Sequence, residues 1–211
     1  MGAFADRYRF DLDGGRLSLE FLNTLGGLRG VRPEERLVEY ADLPWWGHQV
    51  GLIDRQRMQA LIAEGERHPR RAAQALESAR ALREALHGVV LAALDGGEPP
   101  AADLAQVNGW VASAMQHRRL RPKPGGGLEG SFDDDGDLLA FLRPVAADAA
   151  RVLEVDLAAG LLRRCGESEA GRCGWIFVDE TKNHSRRYCS MRDCGNRAKQ
   201  RRYQQRRKND P

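Results

Sequence analysis

The sequence has no uninterrupted apolar run long enough to span a bilayer. Its opening residues, Met1 to Arg9, mix polar and charged groups and contain no apolar stretch of the kind a secretory leader carries. These absences predict a cytoplasmic protein without a membrane partner. No proline- or serine-rich linker divides the chain. No G-x-S-x-G, H-E-x-x-H or phosphate-cradling loop is present, and His48, His68, His87, His117 and His184 are scattered singly. Catalysis needs a constellation of groups rather than lone histidines, so the expectation is that the chain is not an enzyme. Cysteine is missing from everything before Cys165.

What is present is unevenly placed. The net charge of +3 over 211 residues hides an asymmetry. From Arg163 to Pro211 there are 14 Lys/Arg against 6 Asp/Glu, a net of +8, which leaves the preceding residues at −5. An acidic body with a basic end suits a body that carries an anion-binding appendage. The four cysteines all fall in this basic end, as Cys165 and Cys173 in C-x7-C and Cys189 and Cys194 in C-x4-C, with fifteen residues between the pairs. Two close pairs of thiolates suit a tetrahedral Zn²⁺ site. A reducing compartment favours that reading over two disulfides or unpaired core thiols. His184 could replace one of the first pair, but four thiolates already complete the coordination of a structural zinc.

The body reads as mostly helical. Leu17, Leu19, Phe21 and Leu22 fit either a short strand or a helix start. Gly26, Gly27 and Gly30 suggest a loop, and Pro33 with Leu37, Val38 and Ala41 a short helix. Asp42 is expected to cap a helix carrying Leu43, Trp46 and Val50, and Asp54 one carrying Met58, Leu61 and Ile62. A long helix is expected past Pro69, with Leu76, Ala79, Leu82, Leu86, Val89 and Val90 on one face. Leu104, Val107, Val111 and Met115 mark another, with Trp110 at its edge. Arg118 to Asp137 reads as a hairpin with a glycine-rich tip, and Asp133 to Asp135 as an exposed turn rather than a calcium loop. Leu142, Val145, Ala149 and Val152 give a further helix, and Asp156 caps a short one through Leu157, Leu161 and Leu162. Asn23, Trp46 and Trp110 could line a pocket for a small-molecule effector. Ordinary packing is the commoner role for such residues.

Within the basic end, Trp175 to Val178 alternates as a strand does, Asp179 and Glu180 turn the chain, and Gly195 to Lys208 suits a cationic helix with almost no compensating acid. Crowded cations of this kind are relieved by a polyanion. Candidate contacts are Arg186, Arg187, Asn196, Arg197, Lys199, Arg201, Arg202, Arg206, Arg207 and Lys208. Most would touch phosphate. Asn196, Arg197 and Arg201 are the candidates for reading bases.

The run Cys189-Ser190-Met191-Arg192-Asp193-Cys194-Gly195-Asn196-Arg197-Ala198-Lys199 resembles the CGNR zinc finger, and Gly174 to Asp179 and Ser185 to Cys189 resemble that family's approach to its second cysteine pair. Leu19 to Thr24 and Tyr40 to Leu43 resemble the ABATE domain that precedes this finger. The resemblance implies a bacterial stress-responsive transcription regulator, with the four cysteines holding zinc and the finger binding DNA. The first cysteine interval is wider here than is usual in the family, and Tyr188 stands where tryptophan is common. The expected fold is α+β: a mostly helical body with a short β-hairpin over 1–162, then a small zinc finger over 163–211 ending in a basic helix. Other readings are an RNA-binding or protein-docking zinc module, or a ligand-binding or enzymatic body with a stabilising finger. A homodimer is compatible with any of these.

Overall fold

The computed structural model describes residues 8–209, with side chains through Arg207. The fold is α+β. Helix α1 (Leu17–Leu22) resolves the first ambiguity, because Phe21 and Leu22 are both fully buried. A strand would send neighbouring side chains to opposite faces, whereas adjacent residues can share a wide helical face. The Ser18 N–H and hydroxyl both donate to Asp148, at 2.8 and 2.7 Å, which docks α1 on a later helix.

Two expectations fail in the next segment. Strands β1 (Leu25–Leu28) and β2 (Arg32–Glu35) form an antiparallel hairpin where a loop and a helix start were expected. Pro33 sits in β2, paired with Gly27. No helix forms at Leu37, and Val38 is 68% exposed. The cause lies in two arginines of the long helix. Arg83 grips the Glu35 carboxylate with two bonds of 2.7 and 2.6 Å, and Arg80 donates to the carbonyls of Leu37 and Val38. Carbonyls bonded within a helix would not be open to Arg80 in this way. Burial pushes the Glu35 carboxyl up, but Arg83 outweighs it and holds the group below its ordinary value.

Helix α2 (Asp42–Gln49) begins at Asp42, whose carboxylate accepts the N–H groups of Val38 and Glu39 and so closes the preceding turn; the N-cap position itself falls on Ala41, one residue earlier than expected. Asp54 does cap α3 (Arg55–Arg67), accepting the Arg57 N–H at 2.7 Å. Helix α4 (Pro69–Leu94) starts on Pro69, where the missing N–H costs nothing, and buries the expected stripe. Helix α5 (Ala101–Gln116) is turned from its expected face. Val107 and Ala114 are buried and Trp110 and Val111 half-buried, while Leu104 and Met115 are exposed.

Strands β3 (Arg118–Pro122) and β4 (Leu128–Phe132) make the expected hairpin. The three aspartates after it are bound to arginines: Asp133 to Arg119 and Arg121, Asp134 to Arg57, Asp135 to Arg143. Helix α6 (Arg143–Arg151) continues into a wide turn at Val152–Asp156. Asp156 caps nothing. It is buried and bound to Arg16 at 2.7 Å and Arg151 at 2.9 Å, and the chain leaves as strand β5 (Leu162–Arg164) rather than as a helix.

Strand β5 pairs with β6 (Ile176–Val178). Strand alternation then divides β6 between two cores. Ile176 and Val178 join the large core with Leu162, while Phe177 joins the four cysteines. The expected division at residue 162 therefore falls where the body's core is still being completed. Among the described residues no helix is long and apolar enough to cross a membrane.

Candidate metal centre and the cationic helix

Hydrogen bonds to the backbone of the cysteines or of their flanking turns place them, with Arg186 donating to the Cys189 carbonyl. Cys165 follows β5, and its N–H donates to the Trp175 carbonyl at 3.0 Å. The wide first interval folds into a compact turn: Arg172 N–H donates to Glu167 O, Gly171 N–H to Ser168 O, and the Ser168 hydroxyl to Cys173 O. The extra residues are thus taken up locally, and Cys165 and Cys173 still meet. Cys194 lies in the wide turn Met191–Gly195, closed by the Gly195 N–H on Ser190 O at 2.9 Å. A Cβ at Gly195 would come within 2.7 Å of the Met191 sulfur, so only glycine fits without displacing that side chain.

The four sulfurs are buried and lie within 4.8 Å of one another. Cys173 to Cys189 is 3.8 Å and Cys189 to Cys194 is 3.6 Å. Sulfurs at ~2.3 Å from a tetrahedral zinc would be about 3.8 Å apart, so the donor set fits a structural Zn²⁺ site. The cysteines are free, which removes the two-disulfide alternative. His184 takes no part: its ring Nδ1 contacts the Asp179 carbonyl at 2.9 Å. The thiols perturb one another strongly. Hydrogen bonds from Cys173 lead those that pull Cys165 down, and the bond to Cys165 pushes Cys173 and Cys189 up. For Cys194, the bond with Cys165 pushes up, those with Cys173 and Cys189 pull down, and the thiol ends lowered to about 7. A doubly charged cation among the sulfurs removes this competition by favouring all four thiolates.

Helix α7 (Asn196–Asn209) leaves directly from the last cysteine. Ala198 is buried against the finger, Arg201 binds the buried Glu167, and Arg202 reaches the Tyr188 hydroxyl at 3.2 Å. Lys199, Tyr203, Arg206 and Arg207 face away and are exposed. Arg187 and Asn196 are also exposed, and Arg197 pairs with Asp193 at 2.5 Å. The side chain of Lys208 lies outside those described.

Arg186 does not belong with the candidate nucleic-acid contacts. Its guanidinium lies over the Phe177 ring, 4.3 Å from the centroid, and donates to the carbonyls of Asp13, Val178, Tyr188 and Cys189. It fastens finger to body. Arg201 is likewise partly committed through Glu167.

Asn23, Trp46 and Trp110 do not share a pocket: Asn23 lines a cleft at the edge of the finger, and the two tryptophans do not. Trp46 is fully buried against Phe21, with ring centroids 5.3 Å apart, and Trp110 packs half-buried against the main core. Asn23 has a different role. Its Nδ2 donates to Ile176 O at 2.9 Å and its Oδ1 accepts the Ile176 N–H at 3.2 Å, so the amide completes β6 as another strand would. Gly174 N–H to Gly27 O and Val178 N–H to Gly14 O extend the same seam. Gly27 has φ +69 and a Cβ there would lie 2.0 Å from the Arg32 carbonyl, so this anchor requires glycine. Sequence reasoning missed Glu167, and it read Asp179 as a turn residue without the bonds its carboxylate accepts from Thr181 and Arg186. Asp179 had a local signal, since its carboxylate accepts the Thr181 N–H and hydroxyl two residues on. Glu167 had none, because its partner Arg201 is distant in sequence.

A family model for ABATE, described as a putative stress-induced transcription regulator, matches residues 15–156. The chain belongs to the ABATE family. A CGNR zinc finger model matches residues 162–207, so the sulfur cluster and all of α7 but its last two residues lie inside the finger that accompanies this ABATE body. No match is found among curated proteins. The family places this chain among zinc-binding regulators.

Proposed function

We propose that this ABATE protein regulates transcription by binding duplex DNA through its finger. The observation that carries the reading is the outward face of α7. Lys199, Arg206 and Arg207 are exposed there, and no salt bridge engages them among the described residues, while Arg197, Arg201 and Arg202 turn to the finger's own groups. Exposed cations with no acid among them release counterions when they meet phosphate. Exposed Tyr203 lies on the same face and Asn196 at the helix start, which gives side chains able to meet sugar or base edges. Zinc is structural in this reading, because four thiolates leave no open coordination position for chemistry.

The test is competition binding of the zinc-loaded chain to duplex DNA, structured RNA and heparin at two salt concentrations. Duplex is expected to win, and a Lys199→Ala, Arg206→Ala, Arg207→Ala triple variant is expected to bind at least about tenfold more weakly with a shallower salt slope, since each lost phosphate contact removes ~0.9 from that slope. Preference for RNA, or equal affinity for all three, would overturn the reading.

A further inference from the structure

A cleft of about 670 Å³ opens where body meets finger. Its volume and its place at a junction are those of small-molecule sites. Several of the charges on its walls are already paired: Arg36 with Glu34, Arg197 with Asp193, Arg172 with Glu167. Asp13 and Glu20 form no ion pair among the described residues. Glu20 Oε1 accepts the Gly15 N–H at 2.9 Å, but Oε2 is buried with no hydrogen-bond partner. Trp46 Nε1, inside the core, is the other such buried atom among the described residues, and of the two only Glu20 lines the cleft. Burial pushes the Glu20 carboxyl up; the backbone N–H groups of Gly15 and Gly14 pull it down without cancelling that rise, and the nearby Asp13 charge adds to it. The neighbouring cation, Arg186, gives its guanidinium N–H groups to carbonyls. Trp175 supplies half-buried aromatic wall, with the edge of Phe10 beside it, while the Tyr8 ring is already covered by the Arg36 guanidinium, 4.3 Å from its centroid.

We propose that this cleft binds a small ligand bearing an ammonium or guanidinium group, with the Glu20 carboxylate as anchor and Asp13 as second acceptor. A carboxylate oxygen buried without a donor is costly, and a cationic donor is the group that relieves it. Aromatic walls add attraction for a cation. An anionic ligand would meet Asp11, Asp13 and Glu20, and Arg192 is the one lining arginine with no ion pair among the described residues. Cys173 and Cys189 also line the cleft, so an occupant would touch the metal-binding turns themselves. The site stands independently of what α7 binds.

Titration calorimetry on the zinc-loaded full chain tests this, with putrescine and agmatine as probes and succinate as the anionic control. One probe is expected to bind saturably at one site, at least tenfold more weakly in Glu20→Gln, several-fold more weakly in Asp13→Asn, and unchanged in Glu129→Gln on the remote exposed hairpin. Ligand-free melting of each variant establishes that it is folded, and Asp13→Asn decides the matter should Glu20→Gln fail to fold. Absence of binding by both amines, equal binding by succinate, or affinity unchanged by the anchor substitutions would overturn the proposal.

Discussion

The body is filled by leucine, valine, alanine and aromatic side chains drawn from all its helices, whereas the finger is filled by four sulfur atoms and Phe177, with Trp175 and Tyr188 at the edge. The first region buries enough apolar surface to hold itself together. The second is too short for that, and small units of its kind depend on a metal or a cross-link. The contrast teaches where each region's stability comes from: removal of water from hydrocarbon in one, coordination of an ion in the other.

The sharpest way to break this contrast is to remove the ion. Cys189→Ser, or a strong chelator, should cost the finger most of the roughly 10–16 kcal/mol that a structural zinc supplies. Zinc release and loss of finger structure are expected, while the helical circular dichroism of the body persists at a lowered melting temperature. Stoichiometric zinc retained in a folded variant would contradict the account.

A smaller effect separates the two cores. Phe177→Ala should cost about 3–5 kcal/mol and Leu82→Ala about 2–5 kcal/mol. The first is expected to loosen zinc and the second to leave it bound while lowering body melting. If both shift one transition alike, the regions unfold as a single unit. Smaller again is Asn23→Ala, which strips the buried Ile176 amide of its partners and should cost about 1–3 kcal/mol. Thermal melting with zinc release followed in parallel would show both regions responding, because this amide belongs to the seam.

Much of this was legible in the sequence wherever one local signal sufficed. Asp54 three residues before Arg57 predicts a cap, and the long apolar stripe after Pro69 predicts α4, although Pro69, read as a break, turns out to be its first residue. The clustered cysteines predicted the metal centre, but not that the wide first interval would close, which it does by turning on itself. Sequence reading failed where a distant residue decides the conformation. Arg80 and Arg83, more than forty positions away, hold 35–38 extended against a plausible helical pattern. Arg186 reads as one cation among many, yet its partner Asp13 lies 173 positions earlier. Trp46 and Trp110 gave no pocket because large aromatics more often fill a core than frame a cavity, and no local pattern reveals that one carboxylate oxygen on the cleft that does exist, Glu20 Oε2, is buried without a donor.

Strand β6 carries a consequence for anyone wishing to transplant the finger. Its odd and even side chains belong to different neighbourhoods, so no clean incision exists. A fragment beginning at Leu162 would present Ile176 and Val178 bare to water, and a body ended just before it would keep an empty slot beside Asn23. A chimera built with another host would have to bring along the host's matching slot, with two apolar seats, an amide hook and glycine carbonyls in register.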